Sequence, residues 1–241
     1  MTDNNLSGKN VVIIGGTAGI GLATAIAASE MGANVWAAGR GETNIENAKA
    51  SSNGKFEVRQ ADTHNANQLH DIFKEAGTVD HLVSAAIGGE RTLKPFVEQS
   101  EEQFQAAYGK LWGYAKVVRE GHSYVPEDGA ITLVSGSPAR KISPSTSALS
   151  CVGGAVENMV RCLAVELAPI RVNVVSPGTI STAMFDHFGD DKEEKLKAAT
   201  QGHLINRAGT AEEVAEGLIF VMNNRFVTGT TVEIDGGRIL S

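Results

Sequence analysis

The sequence predicts a doubly wound parallel α/β sheet of about seven strands with helices on both faces. Three observations predict it. Short apolar runs rich in β-branched residues recur along the chain, several without polar alternation, as strands covered on both faces require. Segments of helical periodicity separate them, which is the rhythm of βαβ units. A glycine cluster falls between the first run and the first helical segment, where such a sheet turns from strand to helix.

The runs follow in order. Val11-Val12-Ile13-Ile14 opens the sheet, and Val35-Trp36-Ala37-Ala38, Phe56-Glu57-Val58 and Leu82-Val83 supply the second to fourth strands. Ile131-Thr132-Leu133-Val134, Val172-Asn173-Val174-Val175 and Val232-Glu233-Ile234 supply the rest. Between the fifth and sixth strands, Ala155, Val156, Met159, Val160, Leu163, Ala164 and Leu167 repeat at helical spacing, and Glu157 and Arg161 stand as an i,i+4 ion pair on another face. No Pro/Ser-rich linker, repeat or low-complexity tract divides the chain, so residues 1–241 are expected to form one domain.

Composition narrows the function classes. Twenty-one Lys and Arg against 28 Asp and Glu give a net charge of −7, which repels phosphate backbones and anionic lipid, so neither nucleic acid nor membrane is an expected partner. The start Met1-Thr2-Asp3-Asn4-Asn5 has no basic, apolar leader character, and the expected location is the cytoplasm. The two cysteines, Cys151 and Cys162, and the histidines at 64, 70, 81, 122, 187 and 203 show no metal-ligand spacing, so no metal is expected. The acidic cluster Asp190-Asp191-Lys192-Glu193-Glu194 lacks a calcium-loop pattern and suits a first helical turn.

After the first strand comes Gly15-Gly16-Thr17-Ala18-Gly19-Ile20-Gly21, followed by the helical Leu22-Ala23-Thr24-Ala25-Ile26-Ala27. Gly15, Gly19 and Gly21 permit a tight turn and bring a pyrophosphate close to backbone N–H groups, with Thr17, Ala18 and Ile20 between them, at the positive end of a helix. Strand, loop and helix occur in the order a Rossmann-type dinucleotide site needs. The second strand then ends in Ala38-Gly39-Arg40. An NAD enzyme places a carboxylate near this point for the ribose hydroxyls, whereas Arg40 pairs with a 2′-phosphate and Thr17 adds a hydroxyl donor. A charge-assisted hydrogen bond contributes about 1.5–3 kcal/mol, so the expected cofactor is NADP(H).

These residues resemble the short-chain dehydrogenase/reductase superfamily over essentially the whole chain. Gly15-x-x-x-Gly19-Ile20-Gly21 matches its signature loop, with Ile14 in place of the usual preceding Thr. Ala61-Asp62-Thr63 is similar to the acidic turn whose carboxylate contacts adenine, and Ala85-Ala86 occupies the place of backbone contacts to the adenosine ribose. The segment 173–182, containing Pro177, Gly178, Ile180 and Thr182, resembles the one that contacts nicotinamide and phosphate. Thr228-Gly229 and Val232-Glu233-Ile234-Asp235-Gly236-Gly237 resemble the closing strand and turn. The resemblance also implies a substrate lid around 183–205, in which Met184, Phe185 and Phe188 line an apolar pocket or pack the lid, and a homodimer or homotetramer.

The departures lie in the chemistry. Sliding the helix onto the family pattern puts its Tyr at Leu149 and its Lys at Gly153. The family's Ser falls on Gly136, between Ser135 and Ser137, and its helix-borne Asn falls on Lys110. All four usual catalytic identities differ. Loss of the lysine at Gly153 is expected to leave a hole beside the nicotinamide ribose, toward which Lys110 reaches to bind the ribose or stabilise an oxyanion, with Ser135 or Ser137 donating a hydrogen bond to the substrate carbonyl. Tyr108 and Tyr114 flank Lys110 as packing aromatics, and Lys141 lies in a loop near the substrate mouth. The expected function is an NADP(H)-dependent oxidoreductase interconverting a small-molecule carbonyl and alcohol through an atypical site. The alternative is a catalytically silent NADP(H) sensor or the structural partner of an active relative.

Overall fold

A computed structural model describes residues 6–88 and 92–241. Met1 to Asn5, the stretch judged above for leader character, lie outside the described residues. Seven strands form one sheet: β1 (Asn10–Ile14), β2 (Asn34–Gly39), β3 (Glu57–Gln60), β4 (His81–Ser84), β5 (Ala130–Val134), β6 (Arg171–Pro177) and β7 (Thr231–Ile234). Their order is β3-β2-β1-β4-β5-β6-β7, and every pairing is parallel. The direction of winding reverses between β1 and β4. A doubly wound sheet opens a crevice at the carboxyl ends of its strands at that reversal.

The helices α1 (Gly19–Glu30), α2 (Glu42–Ser52), α3 (Ala66–Ala76), α4 (Glu101–Ala107), α5 (Gly109–Gly121), α6 (Ser147–Glu166), α7 (Lys192–Thr200) and α8 (Ala211–Asn223) cover both faces. Successive side chains of β1 explain why two layers are needed. Val11 and Ile13 join a core with Val35, Val175 and Leu218 under α1 and α8, while Val12 and Ile14 join Phe73, Leu82, Tyr114, Val156 and Val174 under α3, α5 and α6. All four β1 residues are buried, and each such side chain contributes roughly 1.5–3 kcal/mol relative to exposure. By length and composition α6 is apolar enough to cross a membrane, but Val152, Val156 and Val160 along it are buried in the protein.

Burial also corrects the reading of Glu157. It is 5% exposed and does not pair with Arg161, whose guanidinium donates instead to Asn158 Oδ1 at 3.0 Å. Around Glu157 the face of α6 that looks polar in sequence is covered by the segment after β5, with Ala139 against Gly153 and Ser135 and Arg140 bonded to Glu157, while Arg161 one turn on stays exposed.

Candidate active site

The phosphate loop is built so that nothing larger than glycine fits at two places. Gly15 has φ +87°, and an ideal Cβ there would lie 2.4 Å from the Ala86 nitrogen. At Gly21 it would lie 2.0 Å from the Gly15 oxygen. The loop is thereby pressed onto the segment after β4, and α1 begins with Gly19-Ile20-Gly21. Its N-cap, Ala18, makes no side-chain cap and no acidic residue occupies the first turn, whereas Asn65, Ser100 and Thr210 cap α3, α4 and α8. The orphan N–H groups of the first turn suit an anion, and the glycine cradle fits a dinucleotide pyrophosphate.

At the end of β2 the Arg40 guanidinium donates to the Gly88 carbonyl at 3.0 Å and lies 3.8 Å from Asp62 Oδ2. Arg40 and Asp62 line an open pocket with Gln60, His64, Asn65 and Gln68. The Asp62 carboxylate also accepts the His64 N–H at 2.8 Å, fixing its turn. Two expected neighbours face elsewhere. Thr17, expected to donate a hydroxyl to the 2′-phosphate, is buried over Gly39, where an ideal Cβ would lie 2.0 Å from its Oγ1. Thr63 is likewise buried, its Oγ1 2.5 Å from an ideal Cβ on Gly113, so its side chain packs on α5 rather than lining the pocket with Asp62.

A cleft of about 210 Å³, partly open to solvent, lies at the carboxyl ends of the central strands. Ala85 and Ala86 after β4, Lys110 on α5, Ser135 after β5, and Leu149 and Gly153 on α6 form one side. Pro177 at the end of β6 and Gly178, Ile180 and Thr182 after it form the other, with Ile20 of α1 also in the lining. Met184 and Phe185 of the lid segment and Arg238 of the C-terminal turn complete the wall. Phe188, the third apolar residue expected of the lid, packs its ring 6.1 Å from that of Phe185 and does not line the cleft.

Lys110 reaches this cleft, and its Nζ donates to the Ser135 carbonyl at 3.0 Å. Gly88 fixes its backbone: with φ +84°, it packs so closely that a Cβ would lie 2.4 Å from the Lys110 Cα. The two serines behave differently from expectation. Ser135 turns its hydroxyl away to donate to Glu157 Oε1 at 3.1 Å, and Ser137 is fully buried outside the cleft wall. A serine donor to the substrate is therefore not what the geometry offers; the wall presents the Lys110 amine. The hole expected at Gly153 is also closed, because Ala139 sits where an ideal Cβ would come within 2.8 Å of its own Cβ.

None of the three tyrosines lines the cleft. Tyr114 is fully buried and donates to the Val134 carbonyl at 3.0 Å, with burial pushing its phenol far above the usual range. Burial, then Cys151, also raises Tyr108. Tyr124 packs beside Phe73 and His70.

Beneath Lys110 lies a network absent from the sequence reading. The Glu157 carboxylate accepts from Ser135 Oγ and, at 2.9 Å, from Arg140 Nε, while Arg140 also bonds Glu233 on β7. Burial lowers the Arg140 pKa, but the Glu157 hydrogen bond and the charges of Glu157 and Glu233 outweigh it and hold the guanidinium above its ordinary value. Arg140 and Glu157 are 17 residues apart with no shared periodicity, so no local signal marks the pair.

Comparison with known proteins places the whole chain. A family model described as Enoyl-(Acyl carrier protein) reductase matches residues 15–238. The short-chain dehydrogenase/reductase malC of Malbranchea aurantiaca is 32% identical over 98% of this chain and 96% of its own length. Glucose 1-dehydrogenase of Gluconobacter oxydans is 31% identical over 98% and 94%. Among solved structures, MalC reductase/Diels-Alderase from Malbranchea aurantiaca superposes with a TM-score of 0.90 at 30% identity, covering 100% of this chain and 98% of that one. A small-chain dehydrogenase in complex with NADPH gives 0.83 at 27% identity, over 98% and 100%.

Proposed function

Because this chain belongs to the short-chain dehydrogenase/reductase family, we propose that it is an NADP(H)-dependent oxidoreductase that interconverts a carbonyl and an alcohol on a small molecule, with Lys110 in place of the missing phenol and amine. The dinucleotide, when bound, supplies or accepts a hydride at its nicotinamide. The N–H groups of the first turn of α1 hold the pyrophosphate, Arg40 holds the 2′-phosphate, and the segment Pro177 to Thr182 flanks the nicotinamide. The NADPH-bound neighbour and the absence of a carboxylate at position 40 support NADP(H) over NAD(H).

The observation that carries the reading is the Lys110 amine in the cleft wall, 3.0 Å from the Ser135 carbonyl that steers it. In the reductive direction the Lys110 ammonium gives a proton to the carbonyl oxygen and regains one from solvent; in the oxidative direction the neutral amine takes the hydroxyl proton and passes it to solvent. Leu149, Val152, Met184 and Phe185 line the same cleft with apolar surface, which lessens the screening of the ammonium while solvent still reaches it. The chain works as one domain, in the cytoplasm, as a homodimer or homotetramer; Trp112 of α5 and Val165 of α6, 66% and 79% exposed, are the apolar surface such assembly covers.

NADPH consumption across a panel of aldehydes and ketones tests this. Lys110→Met is expected to lower kcat by about 10²–10⁴ while leaving the NADPH dissociation constant within about threefold. A wild-type protein that binds NADPH and turns over nothing favours the silent sensor instead, the reading that Leu149 at the phenol position supports.

A further inference from the structure

The C-terminal turn brings into the cleft a cation that the chemistry above does not use. Arg238 follows Gly236 and Gly237, which have φ +63° and +75°. At Gly237 the Leu204 side chain would lie 2.7 Å from a Cβ, so the turn is locked beneath the loop around residue 204. The nearest acid in sequence, Asp235, acts on the guanidinium through its charge but makes no hydrogen bond to it: its two oxygens accept the Gly237 and Ile239 N–H groups, each at 2.9 Å. Among the described residues the Arg238 guanidinium donates to a neutral acceptor, Thr179 Oγ1 at 3.2 Å, and forms no ion pair. A guanidinium carries five N–H donors in a planar fork suited to a carboxylate.

The surroundings point the same way. In a chain of net charge −7, the charged side chains that line this cleft among the described residues, Lys110 and Arg238, are both cations. The rest of the wall is largely apolar, with Ile87, Leu149, Val152, Met184 and Phe185. His203 is held below its usual range first by burial, then by the charge of Arg238, against an opposing pull from Asp235. A half-buried guanidinium that faces a largely apolar cleft and spends one hydrogen bond on a threonine has donors left for an anion.

Resting on the oxidoreductase reading, we infer that Arg238 anchors a substrate carboxylate, so that the protein acts on an oxo or hydroxy acid with an apolar body whose reactive carbon faces Lys110. Size and polarity of the wall favour a monoanion carrying a hydrocarbon chain over a small polyanion.

Calorimetric titration with octanoate and octanamide, which differ in charge and not in chain, tests the anchor without requiring turnover. On NADP⁺-loaded protein the acid is expected to bind at least about tenfold tighter than the amide. Arg238→Met is expected to erase that preference, Arg238→Lys to keep part of it, and both to leave NADP⁺ affinity within about threefold. Equal binding of acid and amide by the wild type, no binding of either, or an acid preference that survives Arg238→Met overturns the proposal; so does a parallel loss of NADP⁺ affinity, which assigns Arg238 to the cofactor. Far-UV circular dichroism confirms that each variant is folded, and the lysine variant decides the case if the methionine variant is not. Turnover of neutral ketones alongside failed octanoate binding leaves the oxidoreductase reading intact. Failure of NADP⁺ to bind sinks the cofactor reading, and the same titrations without NADP⁺ still judge Arg238.

Discussion

Replacing Glu157 by Gln removes one negative charge from the network under Lys110 while keeping its volume. The carboxylate accepts from two donors, Ser135 Oγ at 3.1 Å and Arg140 Nε at 2.9 Å. An amide oxygen serves one of them, and the amide NH₂ then confronts the other. The loss is one charge-assisted hydrogen bond, about 1.5–3 kcal/mol. The Arg140 side chain is 38% exposed, so solvent screens its half of the pair and the lower end applies, about 1.5 kcal/mol. For a chain of this size that corresponds to a fall of about 3–6 °C in Tm. A double-mutant cycle with Arg140→Met isolates the pair: each single change leaves the other group unmatched, and the coupling is expected to be about 1–2 kcal/mol by urea denaturation. Since Ser135 also carries the carbonyl that steers Lys110, Glu157→Gln is expected to lower kcat without changing NADPH affinity. Additivity within about 0.3–0.5 kcal/mol would refute the coupling, and an unchanged kcat would detach the network from the amine.

The other predictions concern the cofactor and pH. Arg40→Gln is expected to weaken NADPH binding by about 10–100-fold and leave NADH binding unchanged in fluorescence titrations; equal losses for both would remove the 2′-phosphate from the account. His81, 6% exposed on β4, is lowered from 6.5 to about 4, chiefly by burial and next by Arg171. Its unfolded form takes up a proton near pH 6.5 that the native form refuses, so stability falls as pH drops from about 6.5 to about 4, by up to about 3 kcal/mol. In His81→Leu this part of the stability curve is expected to flatten, and an unchanged slope in urea denaturation across that window rules His81 out as its source.

Much of the fold was legible because its signals are local. Residues 11–14 are apolar without alternation because α-helices cover both sides of β1, and the glycines at 15 and 21 mark where only a bare backbone fits. The cleft-lining segments Ala85-Ala86 and Pro177 to Thr182 also follow strand ends, so their placement comes with the strands. Side-chain direction was less legible. Thr17 and Thr63 sit beside the cofactor positions in sequence, yet each is turned inward to fill the space over a glycine, Gly39 and Gly113. Periodicity places Glu157 opposite the main apolar stripe of α6 without revealing that the turn after β5 covers it, and a polar residue under cover requires a partner from elsewhere in the chain. Arg140, with its backbone in that turn, is the partner, a relation of tertiary packing with no sequence period.

The same turn explains why the missing lysine is more than a deletion. Ala139 lies so close to Gly153 that even a methyl group there would displace it. That turn also carries Arg140, which is tied to Glu157 and Glu233, so the backbone beside Gly153 is held on two sides. A long side chain at position 153 would have to break that clamp before it could reach the cleft. Lys110 arrives from α5 instead, and it bonds the carbonyl of Ser135, whose hydroxyl the clamp holds through Glu157. Closure at Gly153 and the placement of Lys110 thus follow from one arrangement, and that arrangement is why the proposed chemistry rests on the amine of α5.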